Sequence, residues 1–211
     1  MSRYLPAWWL GHNPDDRIIL CGYGETFAAT WGRRSRDALN LAYQQGVFPV
    51  RVSDSSSAAN RWDVEGHDGG LITAGIGSGV TGFGADLLLI DDPTKSREQA
   101  DSATYRERLW EWYTNDVYTR LEPEGRIIIT ATRWHVDDLP GRILAGVHTD
   151  DLHPWTVIRF PALAEDGDPL GRAPGEALWP ERFPVKELEA TRRTLGAHGF
   201  DSLYQQNPTL R

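Results

Sequence analysis

Two segments of the chain are aliphatic without alternation, Leu87-Leu88-Leu89-Ile90 and Ile127-Ile128-Ile129. Short apolar runs unbroken by polar positions predict interior strands buried on both faces, here over 87–90 and 126–130 (RIIIT). Residues 17–21 (RIILC), bounded by Asp15-Asp16 and Gly22, predict an earlier strand, and 155–160 a later one of the same buried type. Elsewhere the period becomes helical. Over 25–45, Phe27, Trp31, Ala38 and Ala42 share one stripe, and Gly46 suits the stop. Trp110, Tyr113, Val117 and Leu121 recur at spacings of three and four on a helix running to about Leu121. That helix is opened either by Ser96-Arg97-Glu98-Gln99, which has the form of a capping box, or near Ser102. A short helix over 139–145 and a last one over 185–198 complete the set. The remainder reads as a polar loop (53–60), two short strands (61–65 and 71–74) split by a turn, a glycine-rich link (75–84), a turn (122–125) and a loop (163–184).

Strands alternating with helices predict an α/β fold, a mostly parallel sheet with flanking helices. The 211 residues suit one domain with a sizeable core, and their 40% hydrophobic and 25% charged content excludes disordered and fibrous classes. No apolar run approaches the length of a membrane span, and no secretory signal is visible at the start. The single cysteine, Cys21, has no intrachain disulfide partner, which fits a reducing compartment. The net charge of −8 gives the molecule no overall attraction for nucleic acid, so any such contact needs a local basic patch or a partner.

The candidate chemistry lies at the ends of the two aliphatic strands. Asp91 and Asp92 follow the first, at the position where open α/β sheets bind ligands. Adjacent carboxylates at a buried strand end suit a hard cation with bound phosphate; in nucleotide hydrolases a first such acid anchors the Mg²⁺ shell and the next orients the attacking water. Read alone, the segment equally suits an aspartate that caps the helix after Pro93. The second strand ends in Thr130-Ala131-Thr132-Arg133, and a crossover connection sets it beside the first or nearly so. Hydroxyls and a guanidinium would then approach Asp91 and Asp92, favouring a phosphate site over a simple Arg–Asp pair.

The ordered set Gly82-Phe83-Gly84-Ala85-Asp86, LLLIDDP, Trp110-Glu111-Trp112, Thr119-Arg120-Leu121 and RIIITATRWHVDDLPGRIL resembles the ATPase domain of tailed-bacteriophage terminase large subunits, the DNA-packaging motors. The opening YLPAWWLGHNPDDRIILCGYGETFAATWGRRSR is similar to the segment after that family's phosphate-binding loop, and Ser202-Leu203-Tyr204-Gln205-Gln206-Asn207-Pro208 to the stretch leading into its nuclease domain. The resemblance covers nearly the whole chain. It implies a P-loop NTPase-like core of RecA/ASCE type lacking its first strand and P-loop, with residues 1–185 as a partial ATPase core, residues 1–10 within it as the end of a helix stopped at Gly11, and 186–211 as a C-terminal helix and the start of a linker. It also implies that Asp91 is the Mg²⁺-binding Walker B acid and that Asp92 stands at the catalytic carboxylate, Glu in many relatives and one methylene longer. Thr130, Ala131 and Thr132 match the coupling motif, and Arg133 is a candidate phosphate sensor. Mg²⁺ and ATP are the implied cofactors. Double-stranded DNA, a portal protein, the terminase small subunit and other large subunits in a ring are the implied partners, in the bacterial host cytoplasm and away from membrane.

The P-loop itself is the missing feature. It requires G-x-x-x-x-G-K-[ST], and the only lysines, Lys95 after Thr94 and Lys186 after Val185, do not fit it. The expectation is therefore a fragment that lacks Walker A and nuclease and is inactive alone. The alternatives are a non-catalytic prophage remnant or subunit-interaction module, and a metal-dependent nuclease using Asp91, Asp92 and Lys95.

Three further motifs carry less. Gly77-Ser78-Gly79-Val80-Thr81-Gly82 satisfies G-x-G-x-x-G but precedes a strand, so it reads as a loop. In His135-Val136-Asp137-Asp138, Asp137 or Asp138 is better placed to cap the helix containing Pro140 than to bind metal. Arg33-Arg34-Arg36 suits a solvated helix face as well as a phosphate contact.

Overall fold

The computed structural model describes residues 1–80, 82–146 and 154–209, in two compact units. The first comprises Met1–Lys95 and Ala103–Ala131 and contains the whole sheet. In chain order it has α1 (Leu5–His12), β1 (Arg17–Gly22), α2 (Glu25–Gln44), β2 (Val52–Ser57), β3 (Arg61–Val64), β4 (Gly70–Gly75) and β5 (Ala85–Asp91). After these come α4 (Ala103–Glu111), a π-helical segment (Trp112–Val117), a 3-10 turn (Tyr118–Arg120) and β6 (Leu121–Thr130). The second unit comprises Ser96–Ser102 and Thr132–Arg211 and holds α3 (Arg97–Asp101), α5 (Leu139–Leu144) and α6 (Val185–Leu203).

The sheet has the order β2-β3-β4-β1-β5-β6. Its β4-β1-β5-β6 portion is parallel, and β2 and β3 add an antiparallel edge. The protein is thus α/β with a mostly parallel sheet, as the alternation of strands and helices predicts. β1 lies between β4 and β5 and is buried along all but its first residue. Ile18, Leu20, Leu87 and Leu89 share one face with Ala7 and Leu10 of α1, Leu39 of α2 and Trp62 of β3. Alternation turns Ile19, Cys21, Leu88 and Ile90 to the opposite face, and these are buried as well. Burial pushes the Cys21 thiol up to about 12, so it is an inert packing group and not a nucleophile.

Several expectations require correction. Residues 53–60 are not simply a loop: Val52–Ser57 is a strand, polar because it is the sheet edge and pairs on one side only with β3. The most buried line of α2 is Ala28, Gly32, Ser35 and Leu39; the expected stripe of Phe27, Trp31, Ala38 and Ala42 flanks it half-buried, with Trp31 and Ala38 packed against the core. Small residues face the sheet because the helix lies too close for larger ones; a Cβ on Gly32 would stand 2.4 Å from the Ala59 carbonyl oxygen. Residues 122–125 are not a turn outside the sheet. They belong to β6, whose register shifts opposite Ala85–Leu87, with Glu124 at φ 69°. β6 is also an edge strand and half-buried, not an interior one. Residues 155–160 form no strand, because a strand exists only in a ladder and no described segment pairs with them; Val157 and Ile158 stand exposed. Gly11 lies within α1, against the Phe48 ring, and the helix continues to His12. The long helix before β6 is broken into α3, α4, the π segment and the 3-10 turn. α6 extends past 198 to Leu203, with a kink at Gly196 (φ 73°).

The two sheet edges differ in chemistry. β2 presents serines and an aspartate, whereas β6 carries Ile127-Ile128-Ile129 on the other edge strand, with no further strand paired to it among the described residues. Exposed aliphatic edges template intermolecular pairing. Light scattering should therefore show self-association that grows with concentration, and a monodisperse monomer would contradict it.

The second unit has its own small core of Leu163, Ala177, Leu188 and Phe200. The Gln205 side chain donates to the Leu163 carbonyl and accepts from its N–H, both at 2.9 Å, binding the segment after α6 to the loop that precedes the helix. Within that loop Asp168 accepts from Arg172 Nη2 at 2.6 Å and Nε at 3.1 Å, and from the N–H groups of Leu170 and Arg172. These bonds, the Arg172 side chain foremost, hold the Asp168 carboxyl below the usual carboxylate range. A lowered pKa stabilises the loop above the unfolded value of about 4 and ceases to do so as pH falls through the folded value. Hydrogen exchange at the Leu170 and Arg172 amides should accordingly stay slow near pH 6 and quicken, relative to the intrinsic rate, on acidification below about 4. Asp168→Ala, which removes the acceptor, should exchange fast at both.

Candidate functional site

The candidate site lies at the C-terminal ends of β5 and β6. Their parallel pairing brings Asp91 opposite Thr130, with Gly22 of β1 opposite Asp91 on its other side. The chain leaves β5 at Asp92, which adopts φ 49°, a left-handed conformation that Asp tolerates better than most residues. That turn is pinned by the Asp92 N–H, which donates to the Thr130 carbonyl at 2.8 Å. Both carboxylates are half-buried. Asp91 Oδ2 accepts from the Ser2 hydroxyl at 2.7 Å, and the Thr130 hydroxyl donates toward Met1 Sδ at 3.6 Å. The first two residues therefore reach both strand ends.

Residues 93–95 carry the chain onward, with Pro93 and Thr94 buried and the Tyr105 hydroxyl donating to the Pro93 carbonyl at 2.8 Å. Neither aspartate caps the helix that follows. The N-cap of α3 is Ser96, whose side chain accepts from the Gln99 N–H. The capping explanation of Asp91-Asp92 is thereby removed, and the Ser-x-x-Gln signal is the functioning cap. Lys95 sets its ammonium 5.9 Å from the Tyr23 ring centroid.

Asp91, Asp92 and Thr130, with Ala131 next in the chain, are thus together in the first unit. Thr132 and Arg133 belong to the second. There Arg133 Nε bonds both oxygens of Asp138 at 3.0 Å, and Asp138 also accepts from the N–H groups of Trp134, His135 and Gly141. Asp138 is therefore the N-cap of α5, and the guanidinium of Arg133 is already occupied by a buried carboxylate. His135 accepts from the Asp137 N–H through Nδ1, a contact within the turn that leads to α5. Among the described residues no group of three or more His, Cys, Asp and Glu side chains could hold a metal ion.

The other motifs fall into structural roles. Gly77 and Gly82 both have positive φ, and Ser78 closes a turn onto the Gly75 carbonyl, so the glycine-rich stretch is a loop; Thr81 lies outside the described residues. Trp112 of the π segment fixes this loop through a bond to the Ser78 carbonyl. In the basic cluster Arg36 binds Asp37 and the Ser57 carbonyl, and Arg34 lies over the Trp31 ring at 4.8 Å. Sequence reasoning missed Ser2, which carries no motif and meets Asp91 from 89 positions away.

The donor set at the strand ends consists of hard oxygens: two carboxylates and the hydroxyls of Ser2 and Thr130. Mg²⁺ is typically held by one or two carboxylates, its remaining positions filled by water and substrate phosphate, so the residues fit that ion. They do not form a triphosphate cradle. No G-x-x-x-x-G-K-[ST] occurs among the 211 residues, and the turn that opens α2, Gly22-Tyr23-Gly24, is followed by Glu25.

No helix among the described residues is long and apolar enough to cross a membrane. No curated protein matches the chain. The family described as terminase large subunit, T4likevirus-type, N-terminal matches residues 1–201, and the chain belongs to it.

Proposed function

We propose that this chain supplies the metal-holding and coupling part of an ATP-driven motor that packages double-stranded DNA into phage procapsids, on a P-loop NTPase-like core. The observation that carries the reading is the pairing of Asp91 with Thr130 across adjacent parallel strands, within a chain of the terminase family. Asp91 would hold Mg²⁺, which when bound neutralises charge on phosphate oxygens. Asp92 would be the carboxylate that orients water; its left-handed backbone and the bond from its N–H to the Thr130 carbonyl fix the turn that carries it. Thr130-Ala131-Thr132 leaves β6 at the junction between the two units, which suits a coupling element. Arg133 is committed to Asp138, so service as a phosphate sensor would require that pair to open. Portal protein, small subunit and further large subunits in a ring are the partners this reading entails, in the host cytoplasm.

A phosphate-binding loop must come from outside these residues, and the chain alone should bind ATP weakly and not turn it over. Phosphate release from ATP and Mg²⁺ by the purified chain should equal the blank. Turnover by the chain itself that is abolished in Asp91→Ala would overturn the claim that it is incomplete.

A further inference from the structure

Ser2 is 5% exposed, and its hydroxyl is the only described group that bonds the Asp91 carboxylate. It is held in place from two directions. The N–H groups of Tyr4 and Leu5 close onto the Met1 carbonyl at 3.2 and 3.1 Å, forming a turn that runs into α1. α1 is in turn anchored through Ala7 and Leu10 in the core. The position of the Ser2 oxygen is therefore set by a packed helix and not by a free terminus.

We propose that Ser2 is a positioning residue for Asp91: it fixes Oδ2 so that Oδ1 is presented to a hard divalent cation. The inference rests on the metal-holding role given to Asp91 above. An aspartate at a strand end rotates freely about its terminal torsion, so an unbraced carboxylate loses entropy when it coordinates. A hydroxyl donor removes that freedom without neutralising the charge, unlike a lysine or arginine partner. Oδ1 receives no hydrogen bond from any described residue and keeps its lone pairs for the ion. Removing the partner that orients a metal ligand typically costs about 10- to 100-fold in metal affinity.

The test uses the full 211-residue chain and Mn²⁺ as the probe, with free ion followed by electron paramagnetic resonance. Wild type, Ser2→Val, Ser2→Thr and Asp91→Asn are compared, and urea midpoints are read in parallel. Threonine and valine have the same shape and differ in the hydroxyl, so a packing defect at position 2 affects both alike. The expected result is Mn²⁺ binding that Asp91→Asn abolishes, weakened about tenfold in Ser2→Val and restored within about twofold in Ser2→Thr. Equal affinity in Ser2→Val and wild type would overturn the role of Ser2 and leave that of Asp91 standing. Failure of Ser2→Thr to restore binding would also overturn it. Absence of any Asp91-dependent binding in wild type would overturn the metal-holding role and the inference with it.

Discussion

Trp62→Ala should destabilise the sheet-bearing unit by about 3–5 kcal/mol, read as a large fall in the urea midpoint. Trp62 sits on β3, wholly buried, with its indole N–H donating to the Gly32 carbonyl of α2 at 3.0 Å. It fills the space between the antiparallel edge of the sheet and the helix that covers it, beside Leu39, Leu71 and Val64. Neighbours cannot collapse into the space. Gly32 is already 2.4 Å (virtual Cβ) from the Ala59 carbonyl oxygen and 2.6 Å from Thr73 Cγ2, so α2 has no room to shift inward there. Truncation thus leaves both a cavity and a lost hydrogen bond. Trp62→Phe keeps most of the ring and loses the bond, and its cost should fall to roughly 1–2 kcal/mol. A cost below about 1 kcal/mol for Trp62→Ala would show that the site collapses and that the packing argument is wrong.

Asp138→Ala should be the most damaging single change in the second unit, at about 3–5 kcal/mol. One carboxylate does three things there. It caps α5 through the Gly141 N–H at 2.9 Å, accepts from the Trp134 and His135 N–H groups, and neutralises Arg133, only 18% of whose side chain is exposed. Removal strands a largely buried guanidinium, which is costlier than loss of the cap alone at about 1 kcal/mol. Asp138→Asn retains a capping oxygen and an acceptor for Arg133, so it should recover part of the loss. Thermal unfolding of the two variants and the wild type separates these contributions. Equal stability of Asp138→Ala and wild type would mean that Arg133 finds another partner, and its commitment to Asp138 would no longer bear on its function.

The interior of the sheet was legible because burial on both faces requires unbroken aliphatic runs, and 18–20 and 87–90 are such runs; 127–129 has the same composition yet lies on the edge strand β6, half-buried, because its place in the strand order is set by its neighbours. The elements that escaped were those set by neighbours. β2 is polar and becomes a strand only because β3 offers it a ladder; 155–160 has strand composition and no ladder, and is not one. On α2, apolar size marks only the half-buried flank of Trp31 and Ala38, whereas Gly32 and Ser35 are buried for being small, which no apolar pattern reveals. The juxtaposition of Asp91 and Thr130 was legible because two aliphatic strands joined by one crossover end side by side. The pairing of Arg133 with Asp138 was hidden behind the two equivalent aspartates at 137 and 138, and only the cap geometry chose between them. Ser2 had no local signal at all.

On the function proposed above, the β5 and β6 ends are one half of an ATP-hydrolysing site, and the phosphate-binding half is not among these residues. The most direct measurement is phosphate release by the chain joined, ahead of Met1, to a strand and loop bearing G-x-x-x-x-G-K-[ST]. The account predicts Mg²⁺-dependent ATP turnover that the unextended chain lacks, lost in Asp91→Ala and reduced in Asp92→Ala. Turnover unaffected by Asp91→Ala would contradict it.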